Sequence, residues 1–202
     1  MPVAIEFYSG SQSFTKVAKR LGYDTISIDI LPRTKPTICA DLLTFDYTNL
    51  PVPAVIWLSP PCTEYSIAKH VGTRDLVGAD KHVKRSLEIV EYFKKKNPKL
   101  IWFMENAGTG LLPGRRVVNG VPRAFFDYCS FSTWGYRKRT VIFGDNVTNC
   151  DVLCRGRGKC PNMVDGVHRM NSNGRSDRPR AKMSELQRVP PRLIRHLLSK
   201  CA

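Results

Sequence analysis

Apolar residues in this chain fall into short runs that alternate between strand-like and helix-like spacing. Val3 to Tyr8 is a mainly apolar run of strand length, ending at the small, polar turn Ser9-Gly10-Ser11-Gln12-Ser13. The spacing beyond it predicts a helix over Phe14 to Leu21, with Ser13 as N-cap and Gly22 just past its end. Asp24 to Ile30 alternates as a second strand whose last polar position is Asp29, and Pro32 stops it. Thr37 to Ala40 leads to Asp41, and Ala54 to Leu58 is a buried-type strand running into Ser59-Pro60-Pro61-Cys62. A polar loop is expected over Thr63 to Ala79, then a helix from about Lys84 to Lys96 with Leu87, Ile89, Val90 and Phe93 at helical spacing. Leu100 to Met104 is another apolar strand, ending at Glu105-Asn106. Phe125 to Phe143 reads as a helix or turn followed by β structure at Thr140 to Phe143. Repeated strand–helix alternation implies parallel βαβ units with right-handed crossovers, hence an open, Rossmann-like α/β sheet with helices on both faces.

The pattern changes at Gly144. From there to about Lys182 the chain is polar, rich in Arg, Asn and Gly, and carries Cys150, Cys154 and Cys160. This divides the chain into a catalytic-type unit over residues 1–144, a small basic Cys/His insert over 145–183, and a closing helix within 184–202. That helix is expected over Ser184 to Leu198, packing Leu193, Ile194, Leu197 and Leu198 back on the first unit, with Pro190-Pro191 at its entry.

Composition narrows the class. A chain of 202 residues with 42% hydrophobic content can bury one core. No apolar run approaches the ~20 residues that span a bilayer, and the N-terminus has no secretory segment, so an intracellular protein (cytoplasm, or nucleus in a eukaryotic host) is expected. Seven cysteines, an odd number, argue against a disulfide framework and leave room for a reactive thiol or a metal. The net charge of +15, from 32 Lys and Arg against 17 Asp and Glu, suits a polyanionic partner; nucleic acid, an anionic membrane or an acidic protein would all satisfy it.

In an open α/β sheet, ligands bind beyond the carboxyl ends of the strands. Here those ends carry Tyr8 to Ser13, Asp29, Asp41, Ser59 to Cys62 and Glu105. Small residues after the first strand let a ligand approach the backbone, and the helix that follows offers a positive N-terminus. A carboxylate ending the second strand suits a ribose hydroxyl pair, and Asp41 could accept from an adenine amino group. In this order they point to a nucleoside cofactor. The Ser-Pro-Pro-Cys turn is more specific, because two prolines stiffen the backbone before a cysteine and hold a nucleophile near attack geometry. Glu105, after an apolar strand, is a candidate general acid or hydrogen-bond donor toward a base. Alternation would send Arg137 and Arg139 to one side of a strand and Lys138 to the other.

Taken together, these residues resemble the cytosine-C5 DNA methyltransferase family over Ile5 to Gly144, with a weaker match at Glu185 to Leu198. Glu6-Phe7-Tyr8-Ser9-Gly10 is similar to its opening cofactor motif, Ser59-Pro60-Pro61-Cys62 to its catalytic loop, and Glu105-Asn106-Ala107 to its Glu-Asn-Val motif. Arg137-Lys138-Arg139 with Thr140 to Gly144 resembles its Arg-x-Arg strand, and the compact phage- or virus-encoded members come nearest in feel. The resemblance implies S-adenosylmethionine as cofactor, bound by Tyr8, Ser9, Gly10, Ser11, Gln12, Asp29, Ile30, Asp41, Leu42 and Pro60. It implies catalysis by Cys62, Glu105, Arg137 and Arg139 on a cytosine flipped from duplex DNA. Cys62 attacks C6, Glu105 bonds N3, Arg139 meets the base carbonyl and Arg137 supports the catalytic loop. No obligate protein partner and no membrane are implied.

Three departures from the family pattern stand out. Gln12 and Ser13 occupy positions where the family usually has further glycines, Gly135 replaces a Gln before Arg-x-Arg, and no Gly-Asn-Ser motif appears near the C-terminus. The target-recognition region is also short. Within it, Cys150, Cys154, Cys160 and His168 are candidate zinc ligands, in competition with free cysteines in a polar loop. Arg155, Arg157, Arg169, Arg175, Arg178 and Arg180 suit phosphate contacts. Two other functions use the same residues: a catalytically weak DNA-binding relative and a tRNA cytosine-C5 methyltransferase. A nicotinamide dehydrogenase is disfavoured because Gly-x-Gly-x-x-Gly is missing, and a zinc deaminase because His-x-Glu and Pro-Cys-x-x-Cys are.

Overall fold

The computed structural model describes residues 1–172 and 177–200. Seven strands form one sheet in the order β3-β2-β1-β4-β5-β7-β6. In chain order they are β1 (Val3–Phe7), β2 (Asp24–Asp29), β3 (Ile38–Cys39), β4 (Val55–Leu58), β5 (Ile101–Ala107), β6 (Arg123–Asp127) and β7 (Arg139–Phe143). The first five run parallel, whereas β7 is antiparallel to both β5 and β6. The open α/β sheet read from the pattern is therefore the architecture.

Period-two alternation sorts the strand side chains into two layers. Val55, Trp57 and Phe103 face α1 (Ser13–Arg20) and α4 (Pro191–Lys200), packing with Phe14, Val17, Leu193, Ile194 and Leu197. Ile5, Phe7, Ile56, Leu58, Trp102 and Met104 face α2 (Leu76–Lys96), packing with Val83, Ile89, Val90 and Phe93. No helix among the described residues is long and apolar enough to cross a membrane.

Several boundaries differ from the sequence reading, each for a local reason. Helix α2 begins at Leu76 rather than near Lys84, because Asp75 caps it by accepting from the Gly78 amide at 2.7 Å. The strand β6 replaces an expected helix or turn; it is only five residues long, pairs with β7, and is bridged on its other side by Val152. Pro190 lacks an amide hydrogen, so the closing helix splits into α3 (Met183–Leu186) and α4. Strand β5 runs on through Glu105 and Asn106, which pair with Ile142 and Val141.

The start of α1 also departs from expectation. Its N-cap is Gln12, in the left-handed region at φ 53, and no cap side chain bonds the helix. The carboxylate of Glu6, reaching from β1, takes that role. It accepts from the Phe14 and Thr15 amides at 3.2 and 2.8 Å and from the Thr15 hydroxyl. Burial disfavours its charge and pushes its pKa up to about 7, against the lowering effect of those donors.

Since the folded chain holds this proton more tightly than the unfolded one, the stabilisation is complete at acid pH and is lost as pH rises through 7. Wild-type protein should lose urea stability between about pH 5 and 8 by more than Glu6→Gln, which has no proton to release there. Equal slopes in paired urea titrations at the two pH values would refute this assignment.

Candidate active site

The carboxyl ends of β1, β2, β4 and β5 lie along one edge of the sheet, because these strands are parallel and adjacent in register. After β1 the chain turns through Tyr8 at φ 55, Gly10 at φ 40 and Gln12 at φ 53. The carboxylate of Asp29 holds that turn, accepting from the Gly10 amide at 2.7 Å and from the Leu31 amide at 2.8 Å. Gln12 adopts a glycine-like, left-handed conformation and donates to the Thr34 and Lys35 carbonyls at 2.6 and 2.9 Å. Its side chain thus ties the first loop to the second. Ser9 Oγ is buried and has no hydrogen-bond partner among the described residues, the mark of a polar group reserved for something other than the protein. That orphan hydroxyl and the open φ of Gly10 fit a polar cofactor at this turn.

The third loop is held differently. Arg85 of α2 donates to the carbonyls of Leu42 and Phe45 at 3.0 and 2.8 Å, and Asp41 accepts from the Leu43 amide at 3.0 Å. Leu42 itself packs in the core, which leaves its backbone as the part that can meet a ligand, while Ile30 is exposed. Tyr8 bonds the His82 carbonyl at 3.3 Å, and burial pushes its phenol up. Burial also lowers the His82 pKa, opposed by Asp41.

The turn after β4 has an unusual problem. Pro60 and Pro61 have no amide hydrogens, so this stretch cannot close ordinary turn bonds. Asn106 supplies the missing donor from the neighbouring strand, its buried Nδ2 reaching the Pro60 carbonyl at 3.0 Å. Ser59 is held by its amide on the Phe7 carbonyl at 3.2 Å and by Trp57 Nε1 on its hydroxyl at 3.0 Å. Beyond Cys62, buried Tyr65 donates to Asp80 at 2.8 Å, and Arg74 donates to the Glu64, Ser66 and Lys69 carbonyls.

These anchors bring Cys62 into electrostatic range of Glu105. The residue is exposed overall, yet the protein packed around its sulfur and then the Glu105 carboxylate push the thiol up, with Lys138 pulling the other way. Glu105 is buried, and every bond to it among the described residues falls on Oε1. The donors are the hydroxyls of Thr140 and Tyr128, the latter at 3.2 Å, and Lys138 Nζ lies 3.6 Å away. Oε2 remains for a ligand.

The alternation expected here is present: Arg137 and Arg139 both lie beside Asp127, and Lys138 leaves on the opposite side, toward Glu105. The member of the run that meets Glu105 is therefore Lys138. Lys138 turns inward over the Tyr128 ring at 4.9 Å, whereas Arg137 is exposed. Arg139 forms a two-bond fork with buried Asp127, at 3.1 and 2.9 Å, which holds that carboxyl below its ordinary range. Tyr128, Thr140, Lys138 and Asp127 were missed from sequence. Only Lys138 carried a signal, as the middle of a charge run.

The Cys/His group needs a correction. Cys150 is not in it: its sulfur faces the carbonyls of Asn146 and Thr148 at 3.8 and 3.7 Å. Cys129, from the turn after β6, stands in its place beside Cys154, Cys160 and His168, and this group could hold a metal ion. Cys129 lies far from the insert in sequence, so spacing could not find it. Around the group Arg155, Arg157, Arg169 and Arg180 are exposed, Arg178 bonds the His168 carbonyl, and Arg175 lies outside the described residues.

The chain is 29% identical to a probable DNA (cytosine-5)-methyltransferase of Frog virus 3 (isolate Goorha), over 221 aligned residues covering 98% of this chain and 99% of that protein. The likeness to cytosine-C5 methyltransferases read from the sequence is borne out by this relative. Solved structures with a similar shape include an Entamoeba histolytica methyltransferase, EhMeth, with a TM-score of 0.46 and 14% identity over 71% of this chain and 52% of that one. Another is the S. pombe Dnmt2 methyltransferase, with a TM-score of 0.49 and 13% identity over 80% of this chain and 57% of that one. The chain therefore spans about half the length of these solved structures. No family model matches it.

Removing the Glu105 charge should lower the Cys62 thiol pKa and speed its alkylation by iodoacetamide at neutral pH, and Lys138→Met should slow it. Quantifying the Cys62 peptide by mass spectrometry in Glu105→Gln and Lys138→Met checks both directions. Asn106→Ala should cost about 1–3 kcal/mol in urea unfolding, since it leaves the Pro60 carbonyl unpaired in the interior.

Proposed function

We propose that this chain is an S-adenosylmethionine-dependent methyltransferase acting on C5 of cytosine in DNA, with Cys62 as nucleophile. The observation that carries this reading is the grouping of Cys62, Glu105 and Lys138 on adjacent strand ends, with Asn106 clamping the Pro-Pro turn. The Frog virus 3 relative, aligned along nearly the whole chain, supports the substrate class.

A cytosine in a duplex hides its reacting atoms in the stack, so the base must be extruded before Cys62 can reach it. The Cys62 thiol gives its proton to solvent and the sulfur bonds C6, while Glu105, protonated at Oε2 when the base is bound, donates a hydrogen bond to N3. Electron density moves to C5. Lys138 favours the Cys62 thiolate, against the Glu105 charge that opposes it in the resting protein. On this reading Arg139, held by the Asp127 fork, would meet the base carbonyl and Arg137 would support the catalytic loop, although its side chain lines a groove with Cys154 and His168. S-adenosylmethionine supplies an electrophilic methyl group when bound; Tyr8 to Gln12, Asp29 with Ile30, Asp41 with Leu42, and Pro60 would hold it. With the methyl on C5, water takes the C5 proton, that electron pair re-forms the C5–C6 double bond, and the C6–S bond breaks with Cys62 leaving as thiolate. Residues 1–144 would be the catalytic unit, with 145–183 as a reduced recognition region whose arginines meet phosphates.

Incubation of the chain with duplex DNA and S-adenosylmethionine, followed by bisulfite sequencing, should reveal converted-resistant cytosines and their context. Cys62→Ala and Glu105→Gln should each abolish the signal, and DNA containing 5-fluorocytosine should trap a covalent adduct. Full activity in Cys62→Ala would sink the assignment. Binding without methylation or adduct would favour a DNA-binding relative, and methylation of tRNA in preference to duplex DNA would move the substrate to RNA.

A further inference from the structure

We propose that Cys129, Cys154, Cys160 and His168 form a closed structural zinc site that staples the basic insert to the end of β6. The ligand atoms lie within 4.8 Å of one another, and both the Cys154 and Cys160 sulfurs are 3.6 Å from His168 Nε2. A tetrahedral ion with bonds of about 2.3 Å to sulfur and 2.0–2.1 Å to nitrogen needs sulfur–nitrogen edges of about 3.6 Å. These two sulfur–nitrogen edges are therefore already at the separation that zinc would require. Three thiols and one imidazole are also the donor set that a soft, tetrahedral ion selects over magnesium or calcium.

The surroundings have the form of a metal centre. Asn162, itself buried, donates to the Cys129 and Ser132 carbonyls at 2.8 and 2.7 Å and accepts from the Gly135 amide at 3.0 Å. This locks the turn that carries Cys129 against the loop that carries Cys160. Gly156 and Gly158, at φ 78 and 74, make the tight bend between Cys154 and Cys160. Three thiolates around a divalent ion leave one excess negative charge, and Arg137 and Arg178 line the same groove as Cys154 and His168, where they can offset it. Four protein ligands fill the coordination sphere, so the ion would hold structure and leave no open position for substrate.

The need for such a staple is visible in the insert. Between β7 and α3 the described regular structure is a hairpin of two-residue strands, β8 (Met163–Val164) and β9 (Val167–His168). So little secondary structure and so many exposed arginines give little apolar burial, which a metal can replace as the source of folding free energy. The staple also bears on the sheet. The Cys154 amide donates to Asp127 at 2.8 Å, and Asp127 is the carboxylate that grips Arg139.

The test is metal quantification on the full chain, purified without chelator and again after reconstitution with zinc. One zinc per chain is expected, with a fall in melting temperature on chelation that added zinc reverses. Cys129→Ser and Cys160→Ser should lose the metal, whereas Cys150→Ser should keep it. Cys154→His keeps four ligands, so it should retain the ion, and its cobalt(II) form should lose thiolate charge-transfer intensity in step with one sulfur fewer. A folded chain that takes up no zinc on reconstitution would overturn the proposal. So would loss of metal from Cys150→Ser, or a disulfide among the three cysteines. None of these readouts depends on methyl transfer.

Discussion

The arrangement of this site depends on one buried hydrogen bond, from the Asn106 side chain to the Pro60 carbonyl. Two consecutive prolines make the turn before Cys62 stiff but leave it without amide donors of its own. A partner from the next strand must complete it, and a buried carbonyl left unpaired would be costly. Because Asn106 follows Glu105 on β5, the same bond that fixes the cysteine's turn also fixes where the carboxyl stands relative to the sulfur. The register of β4 against β5, with Leu58 opposite Met104, is what allows it.

Charge around that pair is arranged in opposition. Glu105 and burial both disfavour the Cys62 thiolate, and Lys138 alone among the named neighbours favours it. The resting protein thus keeps a protonated, weakly reactive thiol. On the other side of β7, Asp127 links Arg139 to the backbone of the Cys/His insert. The last strand of the sheet and the Cys/His insert therefore meet at a single buried carboxylate.

The first loop shows how a departure from a familiar pattern can be absorbed. Gln12 accepts a left-handed backbone that glycine would adopt without strain, and its amide recovers two hydrogen bonds to the loop after β2. Glu6 meanwhile caps the helix that Ser13 was expected to cap. Both solutions rely on side chains long enough to cross between elements.

Much of the architecture was legible from residue order alone. Runs such as Val3 to Phe7 and Ala54 to Leu58 are set by local periodicity, and parallel alternation then brings their carboxyl ends to one edge. Asp29, Cys62 and Glu105 could be picked out because strand ends and stiff turns are local features. What sequence could not decide were groups assembled from distant segments. Cys129 joins Cys154, Cys160 and His168 only because β6 ends beside the insert, and Lys138 meets Glu105 only because β7 pairs with β5, which puts the side opposite the two arginines over that carboxyl. Local patterns fix which way a side chain leaves its own element; the packing of elements fixes what it meets there, and that information is spread over the whole chain.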